Sequence, residues 1–126
     1  MKTGSVTING ETYTLALTMS AVEKITEKVG GVEKFADAIN GDSITEIYKG
    51  TLWALSVLLE GGRAYASLAL NKEERAFTLE ELGILCSVGE VMNYRIALMQ
   101  AVSAGMFREV EVEVDRKNGD TMQMNP

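Results

Sequence analysis

Three features of the sequence predict a mainly α-helical α+β fold, an N-terminal β-hairpin followed by about five helices in a compact bundle. Residues 5 to 17 alternate about Asn9-Gly10, apolar residues from Ser43 onward recur at helical spacing, and Ser/Thr-x-x-Glu signatures mark helix starts. The 126-residue length suits a single domain, large enough to bury roughly two-thirds of its unfolded surface without disulfides or metal. The expected division is a compact unit over 1–106, then an acidic strand and mobile tail over 107–126.

The hairpin register follows from its turn, since Asn-Gly favours a two-residue connection with positive φ at both positions. If Ile8 faces Glu11, then Val6 faces Tyr13 and Thr7 faces Thr12. Val6, Ile8, Tyr13, Leu15 and Leu17 then share an apolar face, while Ser5, Thr7, Thr12, Thr14 and Ala16 form the other. One side is expected to pack on helices and the other to meet water.

The first helix is expected to start at the capping box Ser20-Ala-Val-Glu23, to carry Val22, Ile25 and Val29, and to end at Gly30-Gly31. A short helix over 32–39 follows, with Val32, Phe35, Ala36 and Ile39 on one face. The central helix runs from an N-cap at Ser43, with Glu46 at the third helical position, to a stop at Gly61-Gly62. Its stripe of Ile44, Tyr48, Leu52, Leu55 and Leu59 is widened by Ile47, Trp53, Ala54, Val57 and Leu58, so Trp53 and its leucine neighbours are expected in the core. The uncharged part, Gly50 to Leu59, falls far short of the roughly 20 residues that span a bilayer.

Arg63 to Asn71 reads as a separate helix, Lys72 to Arg75 as an exposed link, and Thr78-Leu-Glu-Glu81 as a capping box for a helix over 79–87. A second long helix, Val88 to Met106, carries one stripe of Val91, Tyr94 or Arg95, Leu98 and Val102. A second stripe of Met92, Ile96 and Met99 implies cover on more than one side. Beyond Gly105 the period changes to two, with Val110, Val112 and Val114 alternating with Glu109, Glu111, Glu113 and Asp115. This short C-terminal strand is either a third strand on the hairpin or an edge for another chain, and a homo-oligomer is a further possibility.

Composition narrows the chemistry. Residues are 46% apolar and 24% charged, and 18 acidic against 12 basic side chains give a formal charge of −6. No Lys/Arg cluster suits a nucleic-acid backbone, so nucleic acid is not an expected partner. The chain has no histidine, which removes the commonest general base and neutral metal ligand. Its single cysteine, Cys86, lies between Leu85 and Ser87 without a partner base and reads as a buried structural thiol. No Gly-x-Ser-x-Gly elbow is present.

Glu73-Glu74 and Glu80-Glu81 are neighbours whose side chains diverge by about 100° on a helix, so they read as solvated faces and caps. Asp115, Asn118 and Asp120 resemble a calcium loop only in passing, because Lys117 and Gly119 stand where oxygen ligands are needed. The double glycines follow helices, unlike a phosphate loop, which precedes one. Met92, Met99 and Met106, seven residues apart, are expected as core, with an adaptable partner groove as the alternative. No catalytic set, metal or cofactor is expected. The start lacks a signal-peptide core, so the protein is expected to be cytoplasmic and free of the membrane.

The order of these segments resembles a known family. Ile8-Asn9-Gly10-Glu11-Thr12-Tyr13, Leu15 and Leu17 before a capped helix ending in Gly-Gly, then Leu58-Leu59-Glu60-Gly61-Gly62, then Phe77-Thr78-Leu79-Glu80-Glu81-Leu82-Gly83 and a long helix, are similar to the tail assembly chaperones of long-tailed bacteriophages and prophages. The likeness spans roughly residues 6 to 106 and carries no catalytic motif. It implies a small acidic helical protein, in the cytoplasm of the bacterial host, that binds the tape measure protein and helps tail tube subunits assemble around it. On that reading the candidate partner-binding residues are Phe107, Glu109, Glu111 and Glu113. The alternatives are a head–tail connector or tail component built into the particle, and an acidic inhibitor of a nucleic-acid-binding protein.

Overall fold

The computed structural model describes residues 1–106. Strands β1 (Gly4–Ile8) and β2 (Glu11–Leu15) form the hairpin, followed by helices α1 (Met19–Val29), α2 (Phe35–Ala38), α3 (Ile44–Leu70), α4 (Leu79–Leu85) and α5 (Val91–Gly105), with 3-10 turns at Val32–Lys34 and Val88–Glu90. The α+β architecture matches the sequence prediction. The strand expected over 109–115 and the tail after it lie outside the described residues.

The hairpin has the register derived from its turn: Val6 opposite Tyr13, Thr7 opposite Thr12 and Ile8 opposite Glu11. Asn9 (φ 52°) and Gly10 (φ 85°) supply the positive dihedrals of the two-residue connection. Val6, Ile8, Leu15 and Leu17 are buried on the face that meets the helices, whereas Thr7 and Thr12 share a 3.0 Å hydroxyl contact on the solvent face. Tyr13 is only partly buried, at the rim of this core.

The largest departure from prediction is at Gly61-Gly62. These glycines do not end the central helix, and neither has a positive φ. A Cβ on Gly62 would overlap the Thr14 carbonyl oxygen, and one on Gly61 the Ala16 carbonyl oxygen. They are the places where β2 presses against α3, close enough for the Ala16 N–H to donate to the Leu58 carbonyl at 3.1 Å. Helix α3 therefore continues through Arg63–Leu70 as one 27-residue rod of about 40 Å. It stops at Asn71, whose left-handed φ of 53° makes it the C-cap.

The three capping boxes fare differently. Thr78 and Glu81 form the complete reciprocal pair, at 3.1 and 2.9 Å. Ser43 caps α3 by accepting from the Glu46 N–H at 3.2 Å, but the Glu46 carboxylate accepts from the Asp42 N–H at 2.7 Å instead of from Ser43. Helix α1 starts earlier than predicted, with Thr18 accepting from the Ala21 N–H at 3.1 Å, and Ser20 is already inside it. Thr18 follows the buried Leu17 and has the β-region backbone an N-cap requires.

The core joins Val6, Ile8, Leu15 and Leu17 to Ile25, Phe35, Leu55, Leu58, Leu82, Tyr94 and Leu98. Trp53, expected in the core, is partly buried and packs against it, with the Lys28 ammonium 4.9 Å from its ring centroid. Ile44, at the first turn of α3, is exposed. The link after α3 is exposed at Lys72, Glu73 and Arg75, as expected, but Glu74 within it is pinned. Glu74 turns back onto β2 and its carboxylate accepts from the Thr14 N–H at 2.9 Å and the Thr14 hydroxyl at 2.7 Å. Phe77 meets Tyr13 edge-on at 4.9 Å, and the Arg75 guanidinium lies 4.8 Å from the Phe77 ring.

Candidate partner-binding surface

Helix α5 is held in place by its inner face. Tyr94, Leu98, Ala101 and Val102 are buried, and Ala101 lies directly beneath Gly4 of β1. The Tyr94 hydroxyl accepts from the Ser87 N–H at 2.9 Å, fixing the turn between α4 and α5. Burial raises the Tyr94 hydroxyl's pKa, and burial likewise raises the neighbouring Cys86 thiol, which is half-buried and not fully enclosed as predicted. A thiol raised in this way is a poor nucleophile.

Across from α2, the Arg95 guanidinium donates to the Ile39 carbonyl and, at 2.6 Å, to Asn40 Oδ1. This ties α5 to the end of α2 and satisfies a carbonyl there that the short helix leaves open. Its only charge is thereby committed. The space beside it is a groove of about 370 Å³, walled by Ala36, Ile39 and Asn40 and by Met92, Ile96, Met99 and Gln100.

The outer face of α5 is uncovered. Met92, Ile96, Met99 and Met106 are 66%, 51%, 43% and 61% exposed, and Val88 one turn earlier is 70% exposed. Both stripes of this helix were expected under cover, and the three methionines in the core; only the Tyr94–Val102 stripe is covered. The spacing that marks the methionines as one line is in the sequence. Which of the two stripes the rest of the chain covers is set by β1 and α3, which take the inner one.

A larger hollow of about 640 Å³ lies between α1 and α3, lined by the apolar Val57, Ala64 and the exposed Leu68 and by the charged Glu23, Lys24, Glu27 and Glu60. Its charges count against it as an apolar seat, because filling it desolvates them. Glu60 is already engaged: its hydrogen bond from Arg63 holds the carboxyl below its ordinary pKa. The α2–α5 groove has no such set of charges, its one ionisable lining residue being the committed Arg95.

Phe107, Glu109, Glu111 and Glu113, the residues singled out from sequence, lie outside the described residues. Among the described residues no three His, Cys, Asp or Glu side chains are grouped to hold a metal ion. No single described helix is long and apolar enough to cross a membrane; α4 and α5 reach that composition only together, across a 93° bend. No family model, curated protein or solved structure matches the chain.

Proposed function

We propose that this protein is a non-enzymatic phage tail assembly chaperone, a binding protein that keeps the apolar helices of the tape measure protein soluble and assists assembly of the tail tube around it. The observation that carries this reading is the uncovered apolar line along α5 and its two ends, Val88, Met92, Ile96, Met99 and Met106, beside a groove whose one charged lining residue, Arg95, is already bonded to the end of α2. A holdase must offer apolar surface to its client, and a contiguous exposed line of large side chains is the form such surfaces take. Methionine suits the task because its unbranched, polarizable side chain adapts to irregular partners. The segment order that resembles the family, from Ile8-Asn9-Gly10 to the long helix after Gly83, points the same way.

Coexpression with the tape measure protein tests the reading. The expected result is a soluble complex that copurifies, with the chaperone absent from finished particles by mass spectrometry. A tape measure protein that stays insoluble beside abundant chaperone overturns the proposal. Recovery of this chain from purified virions supports a built-in tail component in its place.

A further inference from the structure

The hairpin has one edge closed and one open. Its two-residue turn makes Ile8–Glu11, Val6–Tyr13 and Gly4–Leu15 the pairs that exchange main-chain hydrogen bonds. Ser5 and Thr7 of β1, and Thr12 and Thr14 of β2, therefore direct their main-chain groups outward. On β2 that edge is in use: the Thr14 N–H donates to Glu74, and the Ala16 N–H just beyond it to Leu58. On β1 the main-chain groups of Ser5 and Thr7 meet no partner among the described residues.

The ground beneath the open edge is also unfilled. Helix α5 turns by about 100° per residue. Going round it from Arg95, which meets α2, the next side chains are Val102 and Leu98 in the core and then Ala101 beneath Gly4. Ala97 and Ala104 follow, and both are only partly buried. They lie just past β1, below the place that a third strand would occupy.

We propose that residues 109–115 of this same chain form that strand, parallel to β1, with Val110, Val112 and Val114 over Ala97 and Ala104 and with Glu109, Glu111 and Glu113 facing water. The point where α5 ends selects this arrangement. Gly105 approaches Leu17, and Ala101 approaches Gly4, so the helix finishes beside the first residue of β1. Residues 106–108 reach about 10 Å, enough to enter at Gly4 but short of the roughly 17 Å to the far end of β1. A strand entered at Gly4 runs in the direction of β1. In a parallel pair with the valines inward, the main-chain groups of the valines are the ones that point at β1, where Ser5 and Thr7 await them. The glutamates then stand beside two uncharged side chains, with no like charge opposite. A strand so charged is also a poor template for further pairing.

A second copy is the competing occupant. It would bring its own charge of −6 and no tether, whereas a three-residue link holds the chain's own strand at an effective concentration on the order of millimolar. The strand does not depend on the function proposed above. It sets three of the residues singled out from sequence in one acidic row on the hairpin's solvent face.

Amide hydrogen exchange, read by NMR on the full chain, tests the proposal. The Ser5 and Thr7 amides should exchange about a hundredfold or more slower than unprotected amides. Cross-strand contacts should join Ser5 and Thr7 to Val110–Val114 in parallel order. Val112→Pro removes a ladder N–H and Val112→Asp sets a charge against the alanines, so each should lower that protection by about tenfold or more. Glu111→Lys, facing water, should keep it. The amides of α3 verify that each variant is folded, and should a Val112 variant unfold, the contacts in the unaltered chain decide.

Fast exchange at Ser5 and Thr7 in the unaltered chain overturns the proposal, as does protection that survives both Val112 variants. Antiparallel contacts overturn it too. So do contacts between copies in a mixture of isotope-labelled and unlabelled chains, because a second molecule then holds the edge.

Discussion

Glu74 shows how much one side chain is asked to do in this fold. Its side chain is 6% exposed, and it accepts both the main-chain and hydroxyl hydrogens of Thr14 with Lys72 3.4 Å away. Burial alone would raise its pKa, but the bonds from Thr14 and the nearby Lys72 outweigh it and leave the carboxyl below its ordinary value. A carboxylate with a depressed folded-state pKa contributes stability that is complete above its unfolded value, about 4.3, and is lost as pH falls through the lower folded value. Glu74→Ala should therefore cost about 1–3 kcal/mol at pH 7, since it also leaves the Thr14 N–H without its acceptor. Urea denaturation of both proteins checks this, and the gap should shrink below about pH 4. Nothing near Glu73-Glu74 in the sequence announces this role, because the partner lies 60 residues upstream.

At the scale of elements, the glycines of α3 separate local preference from packing. Helix propensity alone favours alanine over an interior glycine by about 1 kcal/mol. At Gly62 the added methyl would collide with the Thr14 carbonyl, a main-chain atom of β2 that faces α3. Gly62→Ala should therefore destabilise the protein by about 1–3 kcal/mol, with the strand-to-helix bond from Ala16 to Leu58 strained as well. A rise in melting temperature would mean that propensity outweighs the clash. The same pair explains the misplaced helix end: Gly-Gly after an apolar run is equally the sign of a cap and of a close crossing. The two differ only in what lies opposite. Thr78 and Glu81 needed nothing from outside their own turn, and their box formed as predicted.

For the whole molecule, the buried and the exposed apolar stripes of α5 lie on opposite faces. Tyr94, Leu98 and Val102 belong to the core, whereas Met92 and Met99 touch solvent. Met99→Asp should thus change unfolding free energy by no more than about 0.5 kcal/mol, while Leu98→Ala should cost about 2–5 kcal/mol. Chemical denaturation of both variants checks the contrast. A large loss at Met99 would place that residue in the core and remove it from the exposed apolar line.

The sequence by itself determined the features that depend on neighbours a few residues away. The Asn9-Gly10 turn set the hairpin register, alternation set which hairpin face is apolar, and Ser43 and Thr78 marked helix starts. Hydrogen bonds and dihedrals of that kind act over one turn, so local residues suffice to specify them. Tertiary structure alone decided whether Gly61-Gly62 end a helix, where Glu74 docks, and which of α5's two apolar stripes is covered. Burial is non-directional, and the sequence pattern gives each helix's apolar faces without saying which neighbour reaches them. On α5 the hairpin and α3 take one stripe, and the other is left as the surface on which the proposed function rests.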